Sequence, residues 1–143
     1  METNFTPKRI ELGLKKYFDA KKRKVIIDMQ RVGETFINES RVNGDYIDQT
    51  GNLRSSVGYA IGLNGNEPTV NKTGTQVLKG EKGVEQAKVY GQQLIRDEDE
   101  DSLVLAGFAG MEYAIDVESR GRDVITGSTK RAMRRMKFLI RQK

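Results

Sequence analysis

One helical stripe runs through the first quarter of this 143-residue chain. Ile10, Leu14, Tyr17 and Phe18 fall on one helical face. The stripe lapses at KKRK, residues 21–24, and resumes in the same phase at Val25, Met29, Val32 and Phe36. Thr6-Pro7 supplies a cap and a first-turn proline, and Asn43-Gly44 supplies a stop. A straight helix over residues 7–42 is roughly 50 Å long at 1.5 Å per residue. A domain of this length has a radius of gyration of only about 14–15 Å. Either the helix breaks near KKRK, or one end projects from the body. A projecting end carries an apolar stripe that needs a partner to cover it.

The rest of the chain is punctuated by turns. Asp48 to Asn52 makes a definite corner out of Asp, Thr, Gly and Asn. We read a strand directly after it. Leu53, Val57, Tyr59 and Ile61 point one way, interrupted by Ser55, while Arg54, Ser56, Gly58, Ala60 and Gly62 point the other. That second face is nearly bare, so another backbone or a helix can approach it closely. Residues 62–74 are turn-rich and read as a hairpin tip, with a short return strand around Gln76 to Lys79. Val84, Ala87, Gly91, Leu94 and Ile95 give helical spacing over residues 81–96. DEDED, residues 97–101, reads as a solvated loop, and LVLAGFA, residues 103–109, as a central strand. A short helical turn or strand extension follows, broken at Gly121. The last helix starts near Ser128, with Ala132, Met133, Met136, Leu139 and Ile140 on one side.

Composition narrows the chemistry. With 36% hydrophobic and 31% charged residues the chain is polar but globular. It has no cysteine and no histidine, which removes disulfides, thiolate metal sites and the commonest general base. No apolar run approaches the roughly 18–20 residues of a membrane span. METNFTPKR has no apolar signal core, so we expect a soluble intracellular product. The acid run fails the EF-hand pattern, because Ser102 and Phe108 stand where glycine and glutamate belong. Lys72-Thr73-Gly74 lacks the companion elements of penicillin-recognising enzymes. Glu112, Asp116 and Glu118 lie close in sequence, but no nucleophile or metal partner is near them. They read as surface charges, one of them bonding a backbone turn. No cofactor is implied, and the missing residue types disfavour an enzyme.

The formal net charge is +5. Residues 120–143 concentrate it: Arg120, Arg122, Lys130, Arg131, Arg134, Arg135, Lys137, Arg141 and Lys143 stand against one acid, Asp123. Cations in the last turns suit the helix dipole, and they also suit an acidic partner or DNA. Aromatic interleaving for base stacking is missing, since Phe138 is alone.

Two segments carry a resemblance. DQTGNLRSSVGYAI, residues 48–61, resembles the T-G-N-L-R-x-S-[IV] segment of a group of bacteriophage morphogenesis proteins, through Thr50, Gly51, Asn52, Leu53, Arg54, Ser55 and Ser56. AGMEYAIDVESRGRDVITGS, residues 109–128, resembles their A-G-x-x-Y-A-x-x-V-E-x-x-G-x-[DY]-V segment, through Ala109, Gly110, Tyr113, Ala114, Val117, Glu118, Gly121 and Val124. The group comprises minor tail, tail-completion and head–tail joining proteins of long-tailed phages and prophages. The two segments cover about a quarter of the chain.

The resemblance implies an α+β fold: a small, mostly antiparallel sheet flanked by a long N-terminal helix, a middle helix and a C-terminal helix. It implies one domain over residues 1–143, with a helical region at 1–44 and an α+β body at 45–143. It implies a structural subunit that forms a homo-oligomeric ring at the neck or tail end of a virion. Its partners would be tail and head-connector proteins, and its place the virion, or the host cytoplasm during assembly. The N-terminal helix and residues 63–75 are the expected subunit contacts. The C-terminal cations would face an acidic neighbour or DNA. A free-standing nucleic-acid-binding module is the alternative.

Overall fold

Pro7–Asn43 is one uninterrupted helix, α1, in the computed structural model, which describes residues 6–63, 68–96 and 102–142. The helix does not break at KKRK; one end projects. Met29, Val32, Phe36 and Ile37 are buried, whereas Ile10, Leu14, Tyr17 and Phe18 are each about half exposed. The stripe is therefore continuous, but only its second half has something to pack on. Pro7 opens the helix, and the Thr6 carbonyl accepts from the N–H groups of Arg9 and Ile10. Gly44 ends it in an extended conformation, with φ −62° and ψ 119°.

The body is a three-stranded antiparallel sheet in the order β2-β1-β3. Its strands are β1 (Val57–Leu63), β2 (Val70–Thr73) and β3 (Leu103–Ala109). The helices are α2 (Asn52–Ser55), α3 (Glu81–Arg96), α4 (Ala114–Ser119) and α5 (Thr126–Arg141). This is the α+β arrangement with a long N-terminal, a middle and a C-terminal helix.

The alternation in β1 sorts the layers. Val57, Tyr59 and Ile61 bury against Met29, Phe36 and Ile37 of α1. Gly58, Ala60 and Gly62 form the bare face, and α3 lies on it with Ala87 and Ile95. A side chain at position 62 would sit 2.2 Å from Ile95, which is why the face is bare. Helix α5 packs beside α1, with Ala132 and Met136 against the same core.

Four expectations change. Residues 52–55 form a helical turn, so β1 starts at Val57 and Leu53 and Arg54 lie off the strand. The return strand is Val70–Thr73, not 76–79. Residues 75–77 are instead tied elsewhere: Arg41 binds the Thr75 carbonyl and hydroxyl, and the Val77 N–H donates to Ser55 Oγ at 2.8 Å. LVLAGFA is a strand but an edge one. It is apolar throughout because α1 covers Leu103 and Leu105 while α3 covers Val104, Ala106 and Phe108. Helix α5 begins two residues early, at Thr126. The acid run 97–101 and part of the expected contact loop, residues 64–67, lie outside the described residues.

Candidate functional site

Asp48 organises the corner. Its Oδ1 accepts the Gly51 N–H at 3.0 Å and its Oδ2 the Arg54 N–H at 2.8 Å. The chain between them winds into α2. Gly51 enters it with φ +79°, where a Cβ would stand 1.9 Å from the Val77 carbonyl oxygen. Thr50 Oγ1 accepts the Asn52 N–H at 3.3 Å. Asn52 Oδ1 accepts the Gly83 N–H at 3.2 Å, holding the first turn of α3. Leu53 is buried among Tyr46, Met111, Ala114 and Val124. Ser56 Oγ donates to the Leu53 carbonyl at 2.8 Å.

Arg54 reaches back to the end of α1. Its Nε donates to the Arg41 carbonyl at 3.3 Å, and its Nη2 to the carbonyls of Gly44 and Tyr46 at 3.1 and 3.4 Å. The guanidinium lies over the Tyr46 ring, 4.7 Å from its centroid. Burial pushes the Tyr46 phenol up to about 12, so the ring stays neutral beneath the cation. A helix end leaves carbonyls without intrahelical partners, and a fork of N–H donors suits them.

The second segment closes on the first. Tyr113 lies beside Thr50 and Asp48; burial and then the Asp48 charge push its phenol up, against a hydrogen bond with Thr50. Val117 is half-buried against the Leu53 cluster. Glu118 is the one member of the acid trio that bonds a backbone turn. Its Oε1 accepts the N–H groups of Val124, Ile125 and Thr126 at 3.2, 2.8 and 3.0 Å. Its Oε2 accepts the Thr126 hydroxyl at 2.8 Å. The carboxylate thus caps α5 from α4, and Gly121, with φ +80°, turns the chain between them. Glu112 and Asp116 stay exposed.

This cap predicts an acid sensitivity. Burial pushes the Glu118 carboxyl up, but the Ile125 N–H, the Thr126 hydroxyl and the remaining N–H donors outweigh it and hold it below its ordinary value. A lowered folded-state value means the stabilisation is complete above the unfolded value, about 4.3, and is lost as pH falls through the folded one. We expect Glu118→Gln to cost about 1 kcal/mol at pH 7, the size of a lost cap. The gap to the wild type should narrow by pH 3. Denaturant midpoints at the two pH values check it; an unchanged gap refutes the assignment.

The six cations of α5 divide in two. Arg131 Nε donates to Glu39 Oε2 at 2.9 Å and Arg135 Nη1 to Thr35 Oγ1 at 3.2 Å, so both fasten α5 to α1. Lys130, Arg134, Lys137 and Arg141 repeat at i, i+4, i+7 and i+11 and form an exposed stripe. The projecting half of α1 is basic too: residues 7–24 hold eight Lys and Arg against Glu11 and Asp19.

Two grooves flank β3, one on each sheet face, and sequence reasoning found neither. One, of about 340 Å³, lies between α1, the sheet and α5, with Met29, Phe36 and Met136 in its wall. The other, of about 500 Å³, lies between α3 and α4, with Tyr90, Leu94, Phe108, Met111 and Ile115 in its wall. The signal was faint: Tyr90 and Ile115 are apolar residues off the buried stripes of their helices.

The corner residues hold elements together, and the exposed chemistry is apolar and basic surface. Among the described residues no cluster of Asp or Glu is placed to hold a metal ion, and no helix is long and apolar enough to cross a membrane. The chain matches no known protein family, no curated protein and no solved structure.

Proposed function

We propose that this chain is a structural morphogenesis protein of a tailed phage or prophage, a ring-forming tail-completion or neck subunit at the head–tail junction. The observation that carries the reading is the arm, residues 7–24 of α1. It is a helix with Ile10, Leu14, Tyr17 and Phe18 in line and about half exposed, and no described element of its own chain packs on it. Leaving such a stripe in water is costly unless copies or neighbours cover it. The resemblance of residues 48–61 and 109–128 to phage tail-completion proteins supplies the biological setting. The corner that carries the first segment fixes the end of α1, and so the direction in which the arm points.

Mass measurement in solution tests the reading, alone and with a tail-tube protein. We expect masses above the monomer that grow with concentration or with the tail-tube template. Leu14→Glu with Phe18→Glu should return the chain to a monomer without lowering the melting temperature of the dilute, unassembled chain, because both side chains lie outside the core. A wild-type chain that stays monomeric alone and with the template overturns it.

The exposed stripe of Lys130, Arg134, Lys137 and Arg141 favours a second reading, a basic nucleic-acid-binding module. Four phosphate contacts would give a log–log salt slope of about −3 to −4. Tight duplex binding by the isolated monomer with that slope would favour this module over the ring.

A further inference from the structure

We infer that the arm of one copy docks in the groove between α3 and α4 of a second copy, and this rests on the ring reading above. The arm cannot reach that groove in its own molecule. Residues 29–37 of α1 are seated on one face of the sheet, and α3 covers the other. The arm continues the same helix without a break, so it cannot double back around the sheet edge.

Charge selects the groove. The arm carries eight cations and two acids. The groove beside α5 has Lys137 in its wall and the stripe of Lys130, Arg134 and Arg141 on the same helix, which repels such an arm. The α3–α4 groove has Glu112 and Glu118 in its wall, and its shallow extension along α3 adds Glu85. Among the described residues no lysine or arginine lines either part. Glu118 is already spent on α5, which leaves Glu85 and Glu112 for the arm.

Shape agrees with charge. The floor is apolar, and Tyr90 and Ile115 at its rim are 41% and 78% exposed. An amphipathic helix enters such a groove through anchors at i, i+4 and i+7 or i+8, and Ile10, Leu14, Tyr17 and Phe18 have that spacing. Lys15 and Lys22 stand three before and four after Phe18, so they border the stripe and can meet the two carboxylates. Donor and receiver are different surfaces. The contact is therefore head-to-tail, and each copy can give one arm and accept one, as a ring requires.

Charge reversal tests it on the full chain. Lys15→Glu with Lys22→Glu reverses the arm; Glu85→Lys with Glu112→Lys reverses the groove. All four positions are exposed, so at dilutions where every chain is monomeric both variants should keep the wild-type melting temperature. We expect each variant alone to associate at least about tenfold more weakly than the wild type, in sedimentation at low salt. An equimolar mixture of the two should associate again in 1:1 proportion, because each reversed arm now meets a reversed groove. If the wild type assembles and groove reversal changes nothing, or the mixture does not recover, the inference is overturned while the ring reading stands. A wild type that stays monomeric by itself also overturns it, and the tail-tube experiment then decides the ring separately. If arm reversal weakens binding of duplex DNA and groove reversal leaves association untouched, the arm belongs to nucleic acid and the inference is wrong.

Discussion

Gly51→Ala should strip the fold of a large part of its stability. The backbone there has φ +79°, a region that costs an L-residue roughly 1–2 kcal/mol. Steric overlap costs more. The new Cβ would lie 1.9 Å from the Val77 carbonyl oxygen and 2.7 Å from its carbonyl carbon. Backbone atoms cannot rotate aside, so the segment around Val77 must move. That movement breaks the Val77 N–H bond to Ser55 and loosens the Asp48 turn around Gly51 and Arg54. We expect a loss of at least about 4 kcal/mol, a large part of the roughly 5–15 kcal/mol that holds a domain of this size. Gly121→Ala is the matched control. Its φ is +80°, but nothing lies within 4 Å of the added Cβ, so only the conformational cost of about 1–2 kcal/mol applies. Thermal melts followed by circular dichroism separate the two. Equal losses at both positions would show that the close approach at Val77 is unimportant.

Arg54→Ala should cost about 2–3 kcal/mol, and Arg54→Lys should recover less than half of it. The guanidinium serves three carbonyls at the end of α1 and stacks on Tyr46. A hydrogen bond to a charged donor contributes about 1.5–3 kcal/mol, but Arg54 is only half-buried and water replaces part of that. Lysine keeps the charge and loses the planar fork, so it cannot serve carbonyls in several directions or stack on the ring. Denaturant midpoints measure both variants. A lysine variant as stable as the wild type would mean that charge at the helix end matters and geometry does not.

The chain announces its layers more readily than its joints. The stripe from Ile10 to Phe36 and the Gly58-Ala60-Gly62 face are periodic, and periodicity survives in sequence. What it does not encode is whether a strand is apolar because its ladders or its faces are covered, so β3 read as central while lying at an edge. Four residues are too few to show a helical period, so α2 was invisible. Its cause is a single carboxylate, Asp48, bonding two N–H groups six positions and fewer away. The misplaced return strand has a longer-range cause, because Arg41 and Ser55 claim residues 75 and 77 from more than 20 positions upstream. The cations of α5 looked alike in sequence. Only the packing of α5 on α1 separates Arg131 and Arg135, which are spent on Glu39 and Thr35, from the four that face outward. The α3–α4 groove depends on elements far apart in the chain and left almost no local trace.

The unbroken course of α1 has a mechanical consequence. Arm and core stripe share one rod, and residues 20–29 between them contain neither glycine nor proline. Whatever grips the tip therefore also sets the tilt of the sheet at the other end. On the ring reading, the angle between successive subunits is stored inside each molecule, in the stiffness of that rod, and the seam between copies needs only to hold.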